Sequence, residues 1–316
     1  MSKLTTVAKI KKMLPLSVQK FLKSYYRNFL RFYYREQYES LGRRNWDMDI
    51  RIPVFDRYKF KKSILMGAVY PVKETNYTNI ILCAQPKSAS LYMVDLLSQS
   101  LEYCNHQIGF DNKGGSIYYP RLLAAKYIRG NTISHCHAEP SPVNLYMIKS
   151  LNFKPVILTR NLLDAIVSRR DMLIRDKWAE NILSKDAVSK FINGSNEYQL
   201  DVVINLFADT YINFNAGWYQ ITKDTQINPF FMTYQEIIDD EVELVKRVAN
   251  HFDVEVSSEH IYAVSLKIKK AGGINFSKGV VGRGKSLLTE EQISTLKRKA
   301  SILGCRNEQF LGFQPD

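Results

Sequence analysis

Lys87 stands in the hexapeptide Gln85-Pro86-Lys87-Ser88-Ala89-Ser90, between the apolar run NIILCA (79–84) and a stretch of helical periodicity. A turn from a buried strand into a helix is where backbone N–H groups and the positive end of the helix dipole converge on an anion. A lysine there places a point charge beside a phosphate chain, and the Ser88 and Ser90 hydroxyls add donors. The same hexapeptide also reads as an ordinary strand–helix connection with a solvated lysine. A second group is Thr159-Arg160-Asn161-Leu162-Leu163-Asp164-Ala165-Ile166-Val167-Ser168. Arg160 ends an apolar run, Asn161 suits a helix N-cap, and Ser168 falls about two turns into the helix, so Arg160 and Ser168 can reach one compact dianion. The plainer reading pairs Arg160 with Asp164 and leaves Ser168 bonded to its own backbone.

Two further groups carry chemistry. In NTISHCHA (131–138), which reads as a strand, the period of two puts His135 and His137 on one face. A histidine titrating near 6.5 can take a proton from a hydroxyl, although a strand histidine also has a structural reading. Gly279-Val280-Val281-Gly282-Arg283-Gly284-Lys285-Ser286 satisfies the Walker A pattern at every position and would bind ATP or GTP. Its surroundings argue against that. Gly272-Gly273-Ile274-Asn275-Phe276-Ser277 precedes it in place of a buried strand, and the next helix start is at Thr289, where Gln292 completes a capping box. Only 30 residues follow Ser286, too few for the remaining strands and the Mg²⁺-binding aspartate of such a protein.

The elements that must position these residues alternate between short apolar runs and helical stretches from Tyr77 onward, the pattern of an α/β domain with a mostly parallel sheet. Strands are expected at 79–84, 131–138, 154–160 and 228–234. Helices are expected from about Ser90 to Glu102, over 162–183, and after Thr289.

Taken together, the ordered segments resemble PAPS-dependent sulfotransferases, where PAPS is 3′-phosphoadenosine 5′-phosphosulfate. In that family a Pro-Lys-Ser-Gly-Thr-Thr turn holds the 5′-phosphosulfate. An Arg-Asn/Asp-Pro-x-Asp-x-x-x-Ser segment and a C-terminal Lys-Gly-x-x-Gly loop hold the 3′-phosphate. Pro86-Lys87-Ser88, then Arg160-Asn161 with Asp164 and Ser168, then Lys278-Gly279-Val280-Val281-Gly282 match in order and spacing over roughly residues 77–300. The resemblance implies a P-loop-type three-layer α/β/α fold and an enzyme that transfers a sulfonate group from PAPS to a hydroxyl of a carbohydrate, lipid or small molecule, with no metal. It implies that Lys87 neutralises charge on the oxygen bridging sulfur and phosphate. His137, or His135 beside it, is the base; Arg160, Ser168, Lys278 and Gly279 anchor the 3′-phosphate. Gly217-Trp218-Tyr219-Gln220 resembles the stretch whose tyrosine lies against adenine, and Tyr92 stands where a stacking tryptophan is usual. Three departures matter: Gly-Thr-Thr is Ala89-Ser90-Leu91, proline is Leu162, and one arginine before Lys278 is Ser277, for which Arg283 is the candidate replacement.

Composition sets the outer bounds. Hydrophobic residues at 45% and charged residues at 24% are globular proportions and exclude fibrous or disordered classes. The formal charge is +13, and Met1–Lys62 holds 16 basic and 5 acidic residues, so +11 of it sits in that segment. Residues 8–40 place Phe21, Tyr25, Phe29 and Phe32 or Tyr33 at helical spacing among lysines and arginines. We expect a basic amphipathic helical segment over 1–65 and the α/β domain over 66–316. The segment either packs its aromatics on the domain or contacts an anionic membrane surface or an acidic acceptor. A basic nucleic-acid module is a further reading, unsupported by any recognition motif. No run approaches the length of a membrane span, and the lysines interrupt any secretory signal. Four cysteines without metal-like spacing suggest reduced thiols and a cytoplasmic protein.

Overall fold

The computed structural model describes residues 77–105, 117, 131–150, 152–221, 227–271 and 280–305, so the basic segment and its boundary at 65/66 lie outside the described residues. Within them, the apolar runs become strands: Asn79–Ala84 (β1), Cys104–Asn105 (β2), Thr132–Cys136 (β3), Lys154–Thr159 (β4) and Phe230–Thr233 (β5). Their order in the sheet is β2-β3-β1-β4-β5, and every pairing is parallel. β1 is central, which is why Ile80, Ile81, Leu82 and Cys83 are all apolar and fully buried: a parallel strand covered on both faces has no polar side.

The helices are Ser90–Ser100 (α1), Pro142–Ser150 (α2), Leu162–Arg175 (α3), Ala179–Ile182 (α4), Lys185–Asn193 (α5), Asn196–Ile221 (α6), Tyr234–His251 (α7), Ser258–Ala271 (α8), Arg283–Leu287 (α9) and Glu290–Ile302 (α10). Alternate strand residues meet different helix layers. Ile80, Leu82, Val156 and Leu158 pack with Met93 and Leu96 of α1 and Leu244 and Val248 of α7. Ile81, Cys83 and Ile157 pack with Met147 of α2 and with Phe214 and Trp218 of α6. The result is the expected three-layer α/β/α arrangement. A separate apolar cluster, including Leu162, Ile166, Phe191, Tyr211 and Leu296, joins α3, α5, α6 and α10.

Several elements depart from expectation. The helix expected over 162–183 breaks after Arg175, where Lys177 adopts a left-handed φ of 54° before the short α4 begins. The span 176–215 is largely helical. Ser184 caps α5 by accepting the Ala187 N–H, and buried Leu200, Val203, Ile204, Tyr211 and Ile212 give α6 an apolar stripe. Tyr234, read as the end of a strand, starts α7 because Thr233 and Glu236 form a reciprocal capping box. The box at Thr289 and Gln292 forms as the sequence suggests. All four cysteines are free thiols, with the Cys83 and Cys136 sulfurs 3.7 Å apart on neighbouring strands. Among the described residues no helix is long and apolar enough to cross a membrane.

Because β3 and β4 lie on opposite sides of β1, the chain leaves the carboxyl ends of these three strands in diverging directions. A crevice opens at such a switch point, where open α/β sheets bind ligands.

Candidate active site

Three hydrogen bonds tie the end of β1 to the end of β4, and a fourth closes the turn after β1. The Gln85 N–H donates to the Leu158 carbonyl (2.8 Å), and the Arg160 N–H donates to Gln85 Oε1 (2.9 Å). Ser88 Oγ donates to the Gln85 carbonyl (2.6 Å), and Arg160 Nη1 donates to the Lys87 carbonyl (2.9 Å). They hold a turn in which both Lys87 (φ 73°) and Ala89 (φ 67°) are left-handed. Ala89, where the resembling family has glycine, is therefore held in a conformation that costs a Cβ-bearing residue about 1–2 kcal/mol. Ala89→Gly should keep the turn and raise the melting temperature, a gain of up to about 1 kcal/mol that a thermal melt measures; a fall would show the strain to be absent. Ser88 is fully buried with its hydroxyl on Gln85, so its hydroxyl shapes the turn and is not a donor to ligand. Ser90 is the buried first residue of α1, Pro86 is half-buried and Leu91 is exposed.

The electrostatics of the turn favour an anion. Burial, then the Arg169, Arg175 and Arg160 guanidiniums, lower the Lys87 pKa to about 8, with Asp176 opposing. Arg160 is buried and its guanidinium lies 4.0 Å over the Tyr234 ring. Burial lowers its pKa, which Tyr234 and Asp164 partly offset. Arg160 Nε and Gln85 Nε2 are both buried without a hydrogen-bond partner among the described residues. Buried donors of this kind are normally satisfied, so two of them beside a desolvated lysine fit a multiply charged anionic group such as the 5′-phosphosulfate and 3′-phosphate of PAPS.

Asp164 is not paired with Arg160. Its carboxylate accepts the Gly282 N–H at Oδ2 (2.8 Å) and the Gly284 N–H at Oδ1 (2.7 Å). Asn161 caps α3 by accepting the Asp164 N–H at 3.2 Å. Gly282 has a φ of 84°, and a Cβ on Gly284 would lie 2.4 Å from Leu163 C and Cβ. The C-terminal loop is thus clamped to the first turn of α3, beside Arg160. Arg283 does not stand free to replace a lost guanidinium: its Nη2 is 2.7 Å from Asp171 Oδ2. Burial pushes the Asp171 carboxyl up, but hydrogen bonds from Arg283 and Arg170 outweigh it and hold the pKa below the usual value. Lys278 and Gly279 lie outside the described residues, and Ser168 is half-buried on α3. The Walker reading of 279–286 is not favoured. Amides that would cradle a phosphate are engaged by Asp164, Lys285 and Ser286 are exposed on the five-residue α9, and the described element before the loop is helix α8.

His137 leaves the end of β3 with Nδ1 2.6 Å from the Ala84 carbonyl. A carbonyl only accepts, so Nδ1 carries the proton and Nε2 of the neutral ring carries the lone pair. His135 lies on the same face, as the strand period requires, with its ring edge-on to His137 at 4.9 Å. Burial, then His137, lower the His135 pKa to about 3, so it stays neutral and its buried Nε2 has no partner among the described residues. His137 is the ring placed at the strand ends with Lys87 and Arg160.

The aromatic expectations divide. Tyr92 is 1% exposed within the core, and its hydroxyl donates to Glu241 Oε2 at 2.5 Å; with no exposed face, it cannot stack on a nucleobase. Burial and Glu241 raise its pKa. Tyr219 is 40% exposed, whereas its neighbour Trp218 is buried and donates Nε1–H to the Ala138 carbonyl at 2.9 Å. Sequence reasoning missed Gln85, Tyr234 and Asp171. Gln85 alone left a signal, as a polar residue closing an apolar strand. Among the described residues, no cluster of three His, Cys, Asp or Glu side chains could hold a metal.

No family model matches the chain, and no curated protein matches it. Solved structures do. A mouse sulfotransferase complexed with PAP is 14% identical with a TM-score of 0.56, over 75% of this chain and 87% of that one. A retinol dehydratase in complex with androsterone and inactive cofactor PAP is 15% identical with a TM-score of 0.48, over 77% and 84%. A sulfotransferase from Alicyclobacillus acidocaldarius is 12% identical with a TM-score of 0.40, over 73% and 97%. The parallel sheet, its helix layers and the superposition on the mouse enzyme establish that this chain has the sulfotransferase fold.

Proposed function

We propose that the protein transfers a sulfonate group from PAPS to a hydroxyl of a carbohydrate, lipid or small molecule. The observation that carries this reading is the convergence of Lys87 after β1, His137 after β3 and Arg160 after β4 at adjacent carboxyl ends of one parallel sheet. PAPS supplies an activated sulfonate, transferred as the acceptor oxygen bonds to sulfur and the bond from sulfur to the bridging phosphate oxygen breaks. The turn amides and the N-terminus of α1 hold the 5′ end of the donor. Arg160, fixed by Gln85 and Tyr234, holds the 3′-phosphate through its guanidinium, whose buried Nε has no hydrogen-bond partner among the described residues. His137 Nε2 takes the acceptor proton. The Lys87 ammonium stabilises charge developing on the bridging oxygen. Positioning and electrostatics do the work, with no covalent link to the protein.

His137→Gln should lower turnover by about 10²–10⁴-fold, the worth of a general base, while leaving PAP binding unchanged. Equal turnover would remove His137 from the reaction. The nucleotide test is a thermal melt with PAP or ATP. Strong stabilisation by PAP and none by ATP is expected; the reverse pattern would restore the Walker reading.

A further inference from the structure

Asp171 of α3 is bonded to two arginines. Its Oδ1 accepts from Arg170 Nε at 3.0 Å and Nη2 at 2.8 Å, and its Oδ2 accepts from Arg283 Nη2 at 2.7 Å. Arg170 is buried, and its Nη1 donates to Oδ1 of Asn196, the first residue of α6, at 3.1 Å. A chain of side chains thus runs from α6 through Arg170 and Asp171 to the C-terminal loop. The Asp171 and Arg283 side chains are 19% and 16% exposed, so salt screens their pair far less than one on the surface. Asp164 grips the same loop by its backbone, and Arg283 stands between the two glycines whose amides Asp164 holds. Asp164, Ser168 and Asp171 lie at i, i+4 and i+7 and so share one face of α3. The Arg283 backbone is therefore held at the first turn and its guanidinium two turns further on, so the side chain spans the turn that carries Ser168. Two guanidiniums on one carboxylate leave the cluster positive. Asp171 can place the loop without cancelling the charge that favours a phosphate.

We propose that Asp171 is a positioning residue for the donor: by fixing Arg283 along α3, it sets the C-terminal loop beside Ser168 at the 3′-phosphate end of the site. This rests on the sulfonate-transfer reading. Asp171 itself touches no ligand. Its effect passes through Arg283, and the two side chains act as one unit.

The test is calorimetric titration of PAP into the full chain as wild type, Asp171→Asn, Arg283→Gln and the double variant. Each single substitution should weaken PAP binding at least about threefold, the low end for coupled residues in one ion-pair network. D171N makes the site more positive, which acting alone would tighten an anion, so weaker binding reports lost placement. The double variant should bind no more weakly than the weaker single one. Equal or tighter binding by D171N overturns the proposal. Losses that multiply in the double variant overturn it too, because Asp171 then acts apart from Arg283. Should D171N fail to fold, R283Q decides: PAP binding at least about threefold weaker, with little change in melting temperature, supports the proposal, and unchanged affinity refutes it. Failure of the wild type to bind PAP is a separate result, one that removes the sulfonate-transfer reading itself.

Discussion

Lys87→Met should lower sulfonate transfer by at least about 10²–10³-fold, the effect of removing a preorganised charge from a developing oxyanion, while weakening PAP binding far less. The same change should raise the melting temperature of the unliganded protein. Burial and the charges of Arg169, Arg175 and Arg160 hold the Lys87 pKa low against the pull of Asp176, so removing the ammonium removes a net penalty. Higher stability with lost turnover separates a chemical role from a folding defect. The pH dependence follows from the lowered pKa. Lys87 titrates at about 8 when folded against 10.5 ordinarily. Between those values the unfolded chain holds the extra proton, so this group's contribution to stability rises with pH across that window. Activity runs the other way: above about pH 8 the free enzyme loses the cation it needs, and kcat/KM for the donor should fall with a limb near pH 8. Lys87→Arg, which stays charged, should remove the limb. A profile flat through pH 8–10, or a K87M enzyme with near-normal turnover, would contradict the role given to this residue.

Gly284→Ala should be the most damaging small substitution outside the phosphate turn. Its Cβ would meet Leu163 C and Cβ at 2.4 Å and Asp164 N at 2.7 Å, and two of these three atoms are backbone. The loop must lift from α3, at a cost of about 1–3 kcal/mol for overpacking. Lifting also pulls the Gly282 and Gly284 amides from Asp164. We expect a melting temperature several degrees lower and a PAP affinity reduced by at least about tenfold. Gly282→Ala is the control. Unlike Gly284 it has a positive φ to strain, but nothing lies within 4 Å of the added Cβ, so its effect should be clearly smaller. Equal effects from the two substitutions would mean that close packing on Leu163 does not set the loop.

The legible part of the molecule was the part written in local pattern. Strand β1 ran unbroken through NIILCA, and β4 carried the apolar run Pro155–Leu158, so both were readable to within a residue, as was the Thr289 cap. The left-handed Ala89 was legible too, since it stands where the resembling family has glycine. What the sequence hid was long-range. Asp164 looked like the natural partner of Arg160, but its acceptors are filled by amides 118 and 120 residues away. Tyr92 sat at the expected position for a stacking ring, yet its hydroxyl is drawn into the core by Glu241, 149 residues away. Gln85 and Tyr234 gained meaning only when β1, β4 and β5 were placed side by side. Helices α5 and α6 were not among the expected elements, although Ser184 caps the one and buried apolar residues stripe the other.

On the proposed function, the Lys87 turn and Arg160 hold the two phosphate ends of one ligand. Calorimetric titration of PAP into wild type, Arg160→Gln and His137→Gln tests it most directly. The wild type and H137Q should bind PAP alike at one site per chain, and R160Q should bind it more than about tenfold more weakly, a loss of about 1.4 kcal/mol. Equal PAP affinity in R160Q and wild type would remove Arg160 from the donor site.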